Sequence, residues 1–176
     1  SSAGALGMLS ITWRSPEEVR QITAQIRAKT KKPFGVNMVL IKDPKDKIAA
    51  CLAEGVKIFS FSWGDPAPFV PMIHAAGGKI MHTVGTAHAA AAAHACGINA
   101  LIIQGIEAGC HVLGECGLMS LMPVVRQRLP EAVLIAAGGI ATTEGIQAAL
   151  CLGADGVSMG TRFLACTEAD VHPVYL

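Results

Sequence analysis

Three segments hold the residues whose types and spacing could do chemistry. Ala136-Ala137-Gly138-Gly139-Ile140 runs into a helical pattern, and Met159-Gly160-Thr161-Arg162-Phe163 opens a second, shorter one. Glycines let backbone amides approach an anion closely, and a helix N-terminus adds the positive end of its dipole. Either segment alone reads equally well as a tight turn; the pair, each after a late strand, points to a phosphate. The third segment is a loop, Gln104-Gly105-Ile106-Glu107-Ala108-Gly109-Cys110-His111. It ends in a histidine, a residue type whose unperturbed pKa of about 6.5 allows proton exchange near neutral pH. An isolated loop histidine is by itself a solvated side chain, so its role depends on what surrounds it. Cys110, His111 and Cys116 lack a second ligand pair at zinc-site spacing, and no metal is expected.

The elements that must position these segments recur along the chain as a short apolar run, a turn and a helical pattern. Strands are expected at Ala5–Leu9, Phe34–Ile41, Lys57–Ser62, Lys79–Val84, Ala100–Gln104, Val133–Ala136 and Gly156–Met159. Ser15-Pro16-Glu17-Glu18 supplies an N-cap, a first-turn proline and a capping-box glutamate, with Val19, Ile22 and Ile26 following on one face. Asp43-Pro44 and Asp65-Pro66 repeat the cap-then-proline device. Thr86 and Thr142 cap two further helices, and Gly55, Gly77, Gly97 and Gly153 close helices. Strict alternation of strand and helix argues for a parallel sheet covered by helices, and even spacing favours an α/β TIM (β/α)8 barrel over a doubly wound sheet. Such a barrel takes roughly 250 residues. The 176 residues therefore read as a single domain over 1–176 that is incomplete at both ends, lacking a first βα unit and a last helix. The interval from Ala100 to Val133 is the long one. Its excess lies in Gly105–Gly117, directly after a strand's C-terminal end, where barrel active sites are built.

Composition agrees with that class. Hydrophobic residues make up 52% and charged residues 15%, which suits strands buried on both faces. A net charge of +1 gives no reason to expect nucleic acid or an anionic membrane as partner. Mean hydropathy is +0.47, yet the richest stretch, Ala87 to Ile103, is broken by His88, His94, Gly97 and Asn99. With no signal-peptide pattern and six scattered cysteines, a cytoplasmic protein with reduced thiols is expected.

Gln104–His111 (QGIEAGCH), Ala136–Ile140 (AAGGI), Gly153–Phe163 (GADGVSMGTRF) and Pro33–Asn37 (PFGVN) together resemble the motif set of the nitronate monooxygenase (2-nitropropane dioxygenase) family. The related FMN-dependent enoyl-acyl-carrier-protein reductases share most of it. The resemblance covers nearly the whole chain; each motif is weak alone and strong in this order. It implies FMN as cofactor, with its phosphate held by Gly138, Gly139, Gly160 and Thr161. It further implies flavin contacts from Asn37, Thr83, Gln104 and Gly109, and His111 as the catalytic histidine, a base or a substrate anchor. The partners it implies are a small-molecule nitronate, in place of which a nitroalkane is also considered, and molecular oxygen. Two alternatives stay open: an enoyl-thioester reductase using NAD(P)H, and a non-catalytic barrel remnant. The family carries EAGGH where this chain has Glu107-Ala108-Gly109-Cys110-His111, so position 110 brings a Cβ and a thiol where a glycine could use positive φ. Of the remaining residues, His74, His88 and His94 read as helix-surface or packing groups, and His82 could line the barrel. His172 lies in the tail. Trp63, together with Phe59 and Phe61, is expected to serve core or strand-end packing and not as a stacking platform. Glu107 reads as a solvent-facing acid, with a flavin ribityl hydroxyl as its other possible partner.

Overall fold

The computed structural model describes residues 4–169, and His172 lies outside them. Within these residues the chain divides into two compact units, one running to His82 with Ala95–Asn99, the other comprising Thr83–His94 and the chain from Ala100 onward.

In the first unit β1 (Gly7–Ser10), β2 (Phe34–Val39), β3 (Ile58–Ser62) and the first four residues of β4 (Lys79–Val84) lie side by side in chain order. All are parallel, with Gly7 opposite Phe34, Gly35 opposite Ile58 and Ile58 opposite Lys79. The register puts Val36, Met38, Phe59, Phe61, Ile80 and His82 on one face and Asn37, Ser60 and Met81 on the other. The first set is the core: Val36, Phe59, Phe61 and Ile80 are wholly inaccessible, joined by Ile48 and Ile73 from the helices. These strands read as continuous apolar runs because helices cover them. The covering elements are α1 (Pro16–Lys29), α2 (Lys45–Ala53) and α3 (Val70–Ala75), the last preceded by a 3-10 turn at Ala67–Phe69.

The start of α1 is the expected capping box. Ser15 Oγ accepts from Glu18 N at 3.2 Å, and Ser15 N donates to Glu18 Oε2 at 2.6 Å. Its buried face is Val19 and Thr23, with Ile22 and Ile26 half-buried. At the two Asp-Pro sites the helix starts are displaced from expectation. Pro44 and Pro66 occupy the cap positions, and the preceding carboxylates take the first amides, Asp43 from Lys45 N at 3.0 Å and Asp65 from Ala67 N at 2.9 Å. Trp63 sits at the strand end, in the turn after β3, at φ +59° and 40% exposed.

In the second unit β5 (Ala100–Gln104), β6 (Val133–Ala137) and β7 (Gly156–Ser158) run parallel, with Gln104 opposite Ala137 and Ala137 opposite Ser158. Between them run α5 (Leu118–Arg128) and α6 (Thr143–Cys151), with α4 (Ala87–Ala95) before β5 and the one-turn α7 (Thr161–Leu164) after β7. Thr86 and Thr142 cap as expected, accepting from Ala89 N and Gly145 N at 3.1 and 3.2 Å. Gly55, Gly77, Gly97 and Gly153 end their helices at φ +71° to +99°. α5 contains Pro123 in its interior, which the sequence reading did not single out.

One side-chain network ties this unit together. Arg126 of α5 donates from Nε to Gly153 O (2.8 Å), from Nη1 to Pro130 O and Ala132 O (both 2.8 Å), and from Nη2 to Asp155 Oδ2 (2.6 Å). The same Asp155 oxygen accepts from Leu134 N at 2.8 Å. The Leu134 amide first, then Arg126, hold its carboxyl below the usual range. The aspartate of GADGV is thus a fastener between α5, β6 and the turn before β7.

Candidate active site

The long loop after β5 is held from within. The Gln104 side chain is 9% exposed; its Nε2 donates to His111 O at 3.2 Å and its Oε1 accepts from Leu113 N at 2.9 Å. Gly105 N donates to Ala137 O at 2.9 Å, and Ile106 N to Cys116 O at 3.0 Å, closing the loop's base. Glu107 is exposed, as expected of a loop acid, yet its carboxylate has a protein partner. Both carboxylate oxygens accept from Leu118 N, at 3.1 and 3.0 Å, at the start of α5. The cap residue of that helix is Gly117, which has no side chain to offer, so a carboxylate eleven residues away takes its place. A helix beginning at glycine with no Ser, Thr, Asp or Asn before it was the signal for this role.

Close backbone approaches lock the loop to its neighbours. A Cβ on Gly85, after β4, would lie 2.5 Å from Gly114 N; a Cβ on Gly138, at φ +115°, would lie 3.0 Å from Ala108 N. Real Cβ atoms do not come that near to backbone without displacing it. A Cβ on Gly109 would meet Thr161 Oγ1 at 2.7 Å, and one on Gly139 would meet Glu107 Cβ at 3.3 Å. Gly109, Gly138, Gly139 and Thr161 are therefore brought together. Gly160 stands beside them with no atom within 4 Å of where its Cβ would be, and no side chain caps α7. Backbone amides at an uncapped helix start, approachable because the residue before them has no side chain, suit a phosphate.

His111 is exposed at the outer part of the loop, with its Nδ1 3.0 Å from Cys110 Sγ. Cys110 keeps a left-handed backbone at φ +67°, so the cysteine leaves the glycine-type turn in place. Thr83 is buried in the same unit, at the end of β4. Asn37 belongs to the first unit, where its Nδ2 donates to Ser60 Oγ at 3.2 Å. His82 is turned to the face of Phe59 and Phe61, away from that of Asn37 and Ser60. It is 7% exposed with Nδ1 unpartnered, and burial pulls its pKa down. His88 and His94 are exposed, and His74 Nε2 lies 3.0 Å from Asn99 Oδ1. Cys51 is buried, its thiol pushed up to about 12 by desolvation. Among the described residues there is no group of three or more His, Cys, Asp or Glu that could hold a metal, and no helix long and apolar enough to cross a membrane.

Comparison with known proteins gives a coherent set. A family model described as nitronate monooxygenase matches residues 39–175. A Mycobacterium tuberculosis protein named (3aS,4S,5R,7aS)-5-hydroxy-7a-methyl-1-oxo-octahydro-1H-indene-4-carboxyl-CoA dehydrogenase is 34% identical over 97% of the chain and 49% of its own length. A nitronate monooxygenase of Pseudomonas aeruginosa is 30% identical over 99% of the chain and 63% of its own. The chain thus spans about half to two thirds of the length of these relatives. FabK from Thermotoga maritima superposes with a TM-score of 0.94 at 38% identity, covering 99% of this chain and 56% of that one. A nitroalkane oxidase from Streptomyces ansochromogenes gives 0.87 at 28% identity, covering 93% and 60%. The fold is the expected one, seven successive strands of a TIM barrel with their helices.

Proposed function

The chain belongs to the nitronate monooxygenase family, and from that premise we propose that it serves FMN-dependent oxidation of alkyl nitronates by molecular oxygen. The observation that carries the reading is the convergence of Gly109, Gly138, Gly139 and Thr161, beside the open Gly160, at the foot of the loop bearing His111. The amides around Gly138, Gly139, Gly160 and Thr161 would hold the FMN phosphate, with Thr161 Oγ1 as an added donor. Gln104, Gly109 and Thr83 would line the flavin. FMN, when bound, supplies the electron transfer between nitronate and oxygen.

The protein's own part is placement and charge. His111 would hold the nitro oxygens, and the Gln104 clamp keeps its backbone in place so that little ordering remains for substrate to induce. The test is anaerobic mixing of FMN-loaded protein with propyl-2-nitronate, following the flavin absorbance, in the parent and in His111→Asn. Bleaching by nitronate that is slowed at least tenfold in His111→Asn supports the reading; equal rates in parent and variant contradict it.

A second reading has an observation of its own. The M. tuberculosis relative is named for a carboxyl-CoA compound, which favours a thioester substrate, reduced with NAD(P)H while His111 faces the thioester carbonyl. In the same anaerobic experiment that enzyme would bleach with NADPH and not with nitronate.

A further inference from the structure

The pair Gly138-Gly139 turns at φ +115° and +66° and has no side chains with which to fix its own shape. What lies against it is the turn over residues 105–108, closed by Ala108 N donating to Gly105 O at 3.1 Å. A Cβ on Gly138 would lie 3.0 Å from Ala108 N and 3.2 Å from Gly105 O, the two ends of that turn. One on Gly139 would lie 3.3 Å from Glu107 Cβ. Gly105 N and Ile106 N tie the near half of the turn to Ala137 O and Cys116 O. The far half is tied by a side chain: Glu107, although exposed, accepts from Leu118 N with both carboxylate oxygens, at 3.1 and 3.0 Å. A Cβ on Gly117 would come to 3.0 Å from Glu107 Oε1, so the carboxylate fills the place that a cap residue's own side chain would take.

From this geometry we infer that Glu107 is a positioning residue: by fastening the turn to the start of α5 it holds Gly138 and Gly139 in the shape that receives a phosphate, and so sets the preference for FMN over unphosphorylated flavin. The inference rests on the proposal that these glycines bind the FMN phosphate. Amides that converge on an anion bind it best when little ordering is left for binding to impose. A loosened turn would lose that preorganisation at the phosphate and not at the flavin ring, because Gln104 is held separately by its own bonds to His111 O and Leu113 N. A free carboxylate so near would repel the phosphate, but this one is spent on the positive end of α5.

The experiment titrates ligand-free protein with FMN and with riboflavin, following flavin fluorescence, and reads the ratio of the two affinities. Glu107→Ala removes the fastening, and Glu107→Gln keeps an acceptor oxygen and the stem against Gly139. A third variant combines Glu107→Ala with Gly117→Ser, which gives α5 a cap of its own in the space the carboxylate has left. The expected preference for FMN is lower by roughly fivefold or more in Glu107→Ala, the size of one net hydrogen bond. It stays as low in the combined variant although the thermal midpoint recovers, and it is near the parent's in Glu107→Gln. An unchanged ratio in Glu107→Ala would overturn the inference. A ratio restored in the combined variant would do the same, because Glu107 would then be only a cap for α5. A ratio as low in Glu107→Gln as in Glu107→Ala would overturn it too, since charge and not position would be responsible. If the parent binds FMN no more tightly than riboflavin, the phosphate assignment fails, and the amide resonances of Gly138 and Gly139 in ligand-free protein decide the fastening alone: displaced in the combined variant they uphold it, unmoved they overturn it.

Discussion

Gln104 commits both ends of its amide to the backbone that follows it, to His111 O and Leu113 N. Replacement by leucine keeps the bulk and removes two hydrogen bonds worth about 1 kcal/mol each, so Gln104→Leu should lose roughly 2 kcal/mol of stability. In thermal unfolding that corresponds to a midpoint lower by about 4–8 °C. An unchanged midpoint would mean that the loop holds without the clamp. Glu107 was legible in the sequence only as an acid in a loop, because its partner, the Leu118 amide, belongs to a helix whose own cap residue is glycine. Residues whose partners lie within a few positions, such as Ser15 with Glu18, could be read directly. The close contact of Gly85 with Gly114 could not, because nothing local marks which distant backbone will cross a glycine.

At the scale of elements, Arg126 and Asp155 form a joint that no spacing rule announces. Arg126→Ala removes bonds to four carbonyls, the longest to Leu129 O at 3.5 Å, and to an aspartate; with the guanidinium only partly buried it should cost about 2–3 kcal/mol, read as a lower urea midpoint at unchanged slope. A loss under 0.5 kcal/mol would show that backbone packing alone holds the joint. His82 in β4 gives an element-scale pH dependence. Its folded pKa lies below the unfolded value near 6.5 because burial penalises the cation. The unfolded chain therefore binds the proton first, so the histidine costs no stability above about pH 6.5 and progressively more as pH falls below that value. Denaturant unfolding at pH 7.5 and 5.5 should show a drop that His82→Leu diminishes; equal drops in parent and variant would point elsewhere. The strands were readable because burial on both faces leaves only apolar residues acceptable there, as in Val36, Phe59 and Leu101. Which face His82 takes was not, since a run apolar on both sides has no alternation from which to read direction.

For the whole molecule, the motif set makes physical sense as a packing set: QGIEAG meets AAGG through Ala108 and Gly138, and MGT through Gly109 and Thr161. Ordered weak motifs pointed to the site because the fold requires these segments to touch, and βα alternation carried them to neighbouring loops. Sequence spacing reveals the order of the segments but not which of their backbones come into contact. The measurement that tests the account most directly is titration of the protein with FMN, followed by flavin fluorescence, in the parent and in Gly160→Asp, which puts a carboxylate where no atom now stands within 4 Å of the added Cβ. The account predicts saturable binding by the parent and at least tenfold weaker binding by the variant, from like-charge repulsion at the phosphate. A parent that binds no FMN, or a variant that binds it equally well, would contradict the assignment of Gly138, Gly139, Gly160 and Thr161 to the cofactor's phosphate.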